Sequence, residues 1–185
     1  MIEPYIETVT GKFFYFQEPQ DESFDIEDIA HALSMNCRYV GHCRQFYSVA
    51  EHSVWVSHLL NGTGLELDGL LHDASEAYIT DIASPIKQFL PDYQKMEDTI
   101  MSALFRKYGL EYPLHPAVKH CDLVMLSTEA HYLLISRGDN WDMWKARKRP
   151  PVTAGIKPSC VAPDVAKQLF LERYEELTRG KTYNN

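Results

Sequence analysis

Apolar residues change their spacing along the chain, and each change predicts a different element. The opening PYIETVTGKFFYFQEPQ carries two short runs of β-branched and aromatic residues on either side of Thr10-Gly11, which predicts a hairpin packed on the main body. From Asp25 the step becomes three and four, with Ile26, Ile29, Ala30 and Leu33 on one helical face. Ser48, with Glu51 three residues on, has the pattern of a capping box ahead of Val54, Val56, Leu59 and Leu60. Asn61-Gly62 stops that helix. Leu65 to Ile79, Tyr93 to Tyr108, Pro116 to Ser136 and Pro163 to Leu177 read as further helices, the last two opened by proline in the first turn. Trp141 to Pro158, rich in Pro and Trp, reads as an irregular loop that is flexible or faces an oligomer partner. The fold class expected is all-α, a compact helical bundle with a short N-terminal β-hairpin. We expect one domain over residues 1–185: hairpin and linker in 1–24, a helical core in 25–136, and a loop with a C-terminal helix in 137–185.

Composition narrows the setting. In 185 residues, 45% hydrophobic and 12% aromatic content is enough for a core. No apolar run approaches the roughly 20 residues of a membrane span, and MIEPYIETVT has neither a basic flank nor an apolar signal core. A cytoplasmic location without membrane attachment is therefore expected. Cys37, Cys43, Cys121 and Cys160 are too scattered for a disulfide scaffold and read as reduced thiols. The net charge of -8 opposes binding to a nucleic acid duplex. Small anionic substrates stay open if basic groups or a metal converge locally.

One segment, LLHDASEAYITD, sets His72, Asp73, Glu76 and Asp81 among apolar residues. Glu76 stands four residues after His72 and three after Asp73, so the three share a helix face. Burying such a face without a partner is costly. Its plain alternative is a solvated helix face of ordinary acids. The chemical alternative needs ligands from other helices, and His52 and Asp122 are placed to supply them. Two neutral imidazoles and two carboxylates suit a divalent ion such as Mn, Co, Zn or Fe. Glu129, seven residues after Asp122, returns to the same face and would sit behind such a site. His31, His58, His115 and His120 read as packing or surface residues.

The order His52, His72-Asp73, Asp122 resembles the H…HD…D signature of the HD-domain phosphohydrolase superfamily, all-helical metal-dependent enzymes that hydrolyse phosphate esters. YSVAEHS around His52 and HDASEAYITDIASPIK around His72 look like the branch holding bacterial 5'-deoxynucleotidases and small phage deoxynucleoside triphosphohydrolases. CRYVGH upstream and STEAHYL after Asp122 look closer to the phage dATP triphosphohydrolases. The resemblance covers roughly residues 25 to 136. It implies that His52, His72, Asp73 and Asp122 hold a divalent ion (Co, Mn, Zn or Mg), with a second ion conceivable at Asp81. It further implies that Glu76 orients or deprotonates water, and that Arg38 grips phosphate. Lys87 reads either as a cation for a longer phosphate tail or as a solvated lysine, and His42 either as a phosphate contact or as a loop hydrogen bond. The deoxynucleotidases carry Arg-Trp where this chain has Arg38-Tyr39, a position for stacking on substrate. Val40, Tyr39 and Pro85 are candidates for an apolar wall.

Several functions follow as expectations. The first is a metal-dependent hydrolase, a triphosphohydrolase preferring dATP that releases deoxynucleoside, acting as a homo-oligomer in the cytoplasm (the host's, if the chain is phage-encoded). The second is a 5'-deoxynucleotidase acting on monophosphates. Outside that class stand a non-catalytic nucleotide- or metal-binding helical module and, further off, a di-iron oxygenase.

Overall fold

The computed structural model describes residues 4–146 and 148–179. The expected hairpin forms: β1 (Tyr5–Glu7) pairs antiparallel with β2 (Phe13–Tyr15), Ile6 opposite Phe14. Alternation along β2 sends Phe14 inward, where its ring stacks on Tyr78 with centroids 3.9 Å apart. The hairpin tip is tied to the first helix, since Asp28 accepts hydrogen bonds from the backbone N–H and hydroxyl of Thr10 at 2.9 and 2.8 Å.

Helix α1 (Ile26–Met35) starts where Asp25 accepts from the Glu27 N–H, and it buries Ile29, Ala30 and Leu33. Helix α2 (Val49–Leu59) starts at Ser48, whose hydroxyl accepts from the Glu51 N–H at 3.1 Å. Only half of the expected capping box closes. The Glu51 carboxylate instead accepts the backbone N–H groups of Ser159, Cys160 and Val161 at 2.6, 3.2 and 3.1 Å.

The helix expected over Leu65 to Ile79 is broken in two, α3 (Glu66–Leu71) and α4 (Glu76–Ile79). Between them the backbone bonds step by three residues rather than four: Ala74 to Leu71, Glu76 to Asp73 and Ala77 to Ala74. The Gly69 carbonyl receives the His72 ring nitrogen at 2.8 Å. A side chain thus competes for an acceptor of the helix's last turn, and the backbone tightens around it. Gly69 also lets α3 approach α2, because a Cβ there would meet Leu60 Cδ1 at 2.5 Å and Ser57 Cα at 3.2 Å.

The remaining helices are α5 (Ser84–Lys87), α6 (Pro91–Lys107), α7 (Pro116–Leu133), α8 (Met143–Ala146) and α9 (Pro163–Thr178). Helix α1 packs on α2, α4 and α9; α2 also packs on α3, α7 and α9. The main core runs through Phe14, Ile29, Leu70, Leu104 and Phe170, and a smaller cluster joins Val56, Leu60, Val118 and Met125. The segment after α7, read from the sequence as a loop that is flexible or faces an oligomer partner, is hydrogen-bonded to α7. Trp141 and Trp144 are half-buried and stack at 6.1 Å, and Arg149 donates to the Ser127 hydroxyl and to the carbonyls of Ser127 and Arg137. The four cysteines are free thiols. Among the described residues no helix is long and apolar enough to cross a membrane.

Candidate metal centre

Two helices, α2 and α7, and the break between α3 and α4 bring the expected ligands together. One ligand atom from each of His52, His72 and Asp122 lies within 4.8 Å of the other two. His52 Nε2 stands 3.2 Å from both His72 Nε2 and Asp122 Oδ1, and His72 Nε2 is 3.9 Å from Asp122 Oδ1. Asp73 Oδ2 adds a fourth donor atom, 3.2 Å from His72 Nε2 and 3.7 Å from His52 Nε2. Donor atoms about 2.1 Å from one ion are roughly 3.0 to 3.5 Å apart at tetrahedral or octahedral angles. The observed set is close to that spacing, and its N/O chemistry fits a borderline divalent ion.

Both imidazoles are oriented from behind. His72 Nδ1–H donates to the Gly69 carbonyl, and His52 Nδ1–H donates to Glu129 Oε1 at 2.5 Å. Each bond fixes the tautomer that turns an Nε2 lone pair into the site. Glu129 is fully buried and takes three more donors: the Tyr47 hydroxyl at 3.0 Å, and the Tyr39 hydroxyl and Arg38 Nε at 3.1 Å each. Arg38 Nη1 also faces Asp73 Oδ2 at 3.6 Å. Asn36 links the elements behind the ligands, donating to the Glu76 carbonyl from its side chain and accepting the Val49 N–H on its backbone.

With this geometry the chain can be set beside known proteins. It is 38% identical over 174 residues to the uncharacterized protein YfdR of Escherichia coli K12, a match covering 94% of this chain and 96% of that one. The chain belongs to the YfdR family. It is also 28% identical over 185 residues to an uncharacterized protein of Rhodobacter capsulatus, covering 93% of this chain and 94% of that protein. No family model matches the sequence.

In this member of the YfdR family, burial and charge divide the acids into two groups. Burial would raise Asp73, but His72, His52 and Arg38 hold it well below the usual carboxylate range. Burial likewise opposes ionisation of Glu129, and Arg38 with His52 overcomes it, holding the acid at about 2. Glu76 goes the other way, since burial and the nearby charges of Asp73 and Asp81 push it well above its ordinary value. Asp81 is raised too, by burial first and then by Asp73. Glu76 Oε2 is buried with no hydrogen-bond partner among the described residues, a costly state for a carboxyl oxygen. His52 is buried and faces Arg38, both of which oppose its protonation; Glu129 and Asp122 outweigh them and raise the imidazolium to about 9.

The other residues singled out in the sequence fall as follows. Tyr39 belongs to the cage around Glu129, with Trp141 beside it at 6.3 Å. Lys87 is engaged by Glu97 at 2.6 Å and by Glu76 at 3.5 Å. His42 is exposed, and its backbone N–H closes the turn onto the Tyr39 carbonyl. Val40 and Pro85 are exposed and His120 points outward. Tyr47 was missed by the sequence reading. It sits just before the helix cap and His52 four residues past it, the two positions that meet across a helix start in a hydrophobic staple; here both meet on Glu129.

Proposed function

We propose that the protein is a metal-dependent phosphohydrolase of deoxynucleotides, a triphosphohydrolase preferring dATP that releases deoxynucleoside and phosphate. The observation that carries this reading is the convergence of His52, His72, Asp73 and Asp122 beside the half-buried Arg38 and an unpartnered buried carboxyl oxygen on Glu76. A divalent ion held by those four side chains would supply Lewis-acid charge at a phosphoryl oxygen. Arg38, oriented through Nε by Glu129, presents its Nη edge to phosphate oxygens. Glu76 Oε2 orients the attacking water and takes its proton, for which a raised carboxyl is suited. Asp81 holds the water or a second cation. The preference for dATP rests on the likeness of CRYVGH and STEAHYL to the phage enzymes.

A second reading, hydrolysis of deoxynucleoside monophosphates, is favoured by Lys87. The cation that would meet a longer phosphate tail is engaged by Glu97 and Glu76. Assembly as a homo-oligomer is part of the proposal, supported by exposed Ile86, Phe89 and Leu90 around the α5–α6 corner.

The test is hydrolysis of a panel of deoxynucleoside mono- and triphosphates after chelation and re-addition of Co, Mn, Mg or Zn, with products separated by chromatography. Triphosphate converted to deoxynucleoside, abolished in a folded Asp73→Ala variant, is the expected result. Turnover of monophosphates alone selects the second reading. No turnover with any metal overturns both and leaves a binding module.

A further inference from the structure

Cys37 and Cys43 bracket the turn that carries Arg38 and Tyr39. Their sulfurs lie 3.7 Å apart, and the Cys43 thiol also reaches the Arg38 carbonyl at 3.7 Å. Both residues are half-buried rather than sealed in the core. Between them Tyr39, Val40 and Gly41 adopt left-handed backbone, with φ of 59°, 54° and 77°. Such angles are unfavourable for a β-branched residue like Val40. The strained turn is held at its edges, by Arg38 N–H on the Tyr47 carbonyl and Arg44 N–H on the Leu133 carbonyl, both at 2.9 Å. The sulfurs therefore face each other across the base of a turn whose ends are fixed.

We propose that Cys37 and Cys43 form a redox-active dithiol site, which a low-molecular-weight disulfide of the glutathione type converts into an intramolecular disulfide. In the first step the Cys37 thiolate attacks one sulfur of oxidised glutathione, forming a mixed disulfide and releasing one reduced glutathione. In the second, Cys43 loses its proton and attacks the Cys37 sulfur, expelling the other glutathione, which takes up a proton. Two protein thiols are oxidised and one external disulfide is reduced, so atoms and electrons balance. Burial and the neighbouring Cys37 push the Cys43 thiol up to about 11, which suits the resolving rather than the attacking role. Forming a bond of about 2.05 Å asks the sulfurs to approach by about 1.7 Å, within reach of side-chain rotation. The closed ring would contain Arg38 and Tyr39, the two residues that reach from this turn to Glu129.

The site is tested by incubating the purified, reduced protein across a series of reduced-to-oxidised glutathione ratios, quenching with an alkylating agent, and recording intact mass and tryptic peptides. Trypsin cuts after Arg38, so the disulfide would join the peptide ending at Arg38 to the peptide Tyr39–Arg44. The expected result is a product lighter by two hydrogens, with those two peptides linked, Cys121 and Cys160 alkylated, and full reversal by dithiothreitol. A Cys43→Ser variant should instead accumulate a stable glutathione adduct on Cys37. A lasting glutathione adduct on the unaltered protein, a link through Cys160, or no thiol loss at any ratio would each overturn the proposal.

Discussion

Glu129 Oε1 accepts the Nδ1 hydrogen of His52 at 2.5 Å and the Tyr47 hydroxyl at 3.0 Å. The orientation of a candidate ligand thus depends on a carboxylate that stands behind it, outside the cluster of donor atoms. Replacing Glu129 by Gln keeps the size but removes the charge that strengthens the His52 lone pair. We expect divalent-metal affinity to fall about 10- to 100-fold, read by calorimetric titration of the chelated protein. Unchanged affinity would mean that His52 is oriented by packing alone.

Tyr47→Phe removes one donor from the same oxygen and leaves the His52 bond in place. Unfolding in urea should show a loss of about 1–2 kcal/mol. Metal affinity should fall by less than in the Glu129→Gln variant, and an equal loss in both would make Tyr47 the principal support.

The metal-free protein has a defined dependence on pH. His52 titrates at about 9 when folded, against an ordinary value of 6.5. A raised pKa stabilises the folded state fully below the unfolded value, and that contribution is lost as pH rises through the folded one. Melting temperature in chelator should therefore decline between about pH 6.5 and 9. Glu129, lowered to about 2, adds stability present above its ordinary 4.5 and lost as pH falls through 2. A bound cation must displace the His52 proton, so apparent metal affinity should rise over the same upper window, with proton release near pH 7.5 visible as a buffer-dependent binding enthalpy. A flat profile on both counts would contradict the assignment.

Gly69→Ala would place a methyl 2.5 Å from Leu60 Cδ1 and 3.2 Å from the Ser57 Cα, with Leu60 itself buried. The gain in helix propensity of about 1 kcal/mol is outweighed by overpacking of about 1–3 kcal/mol. We expect a net destabilisation of about 1–2 kcal/mol in chemical denaturation. Because the Gly69 carbonyl orients His72, the variant should also bind metal more weakly. Full stability would show that α2 and α3 can separate at no cost.

Much of this was legible in the sequence, and the reason is period. Apolar steps of three and four marked α1, α2, α6, α7 and α9, and the same steps placed Asp122 and Glu129 on one face of α7. Ser48 announced its helix because a cap is a local device. What periodicity could not show was any place where a side chain takes a distant backbone partner. The break after Leu71 depends on the His72 ring reaching the Gly69 carbonyl, and spacing alone reads straight through it. Glu51 had the position of a capping-box acid, and its true partners lie more than a hundred residues away. The pairing of Cys37 with Cys43 likewise depends on left-handed angles at Tyr39 and Val40, residue types that rarely adopt them.

Glu51 and His52 are neighbours in sequence, yet they serve opposite ends of the chain. His52 turns its ring nitrogen into the candidate metal centre; Glu51 holds the stretch of backbone that leads into α9. The signature residues all lie before residue 136, which invites trimming the protein to that stretch. Such a fragment would strip the Glu51 carboxylate, one position away from His52, of its three amide donors and uncover the faces of α1, α2 and α3 on which α9 packs. What can be read as a motif is therefore shorter than what can stand as a molecule, and the silent C-terminal quarter is the foundation under the part that speaks.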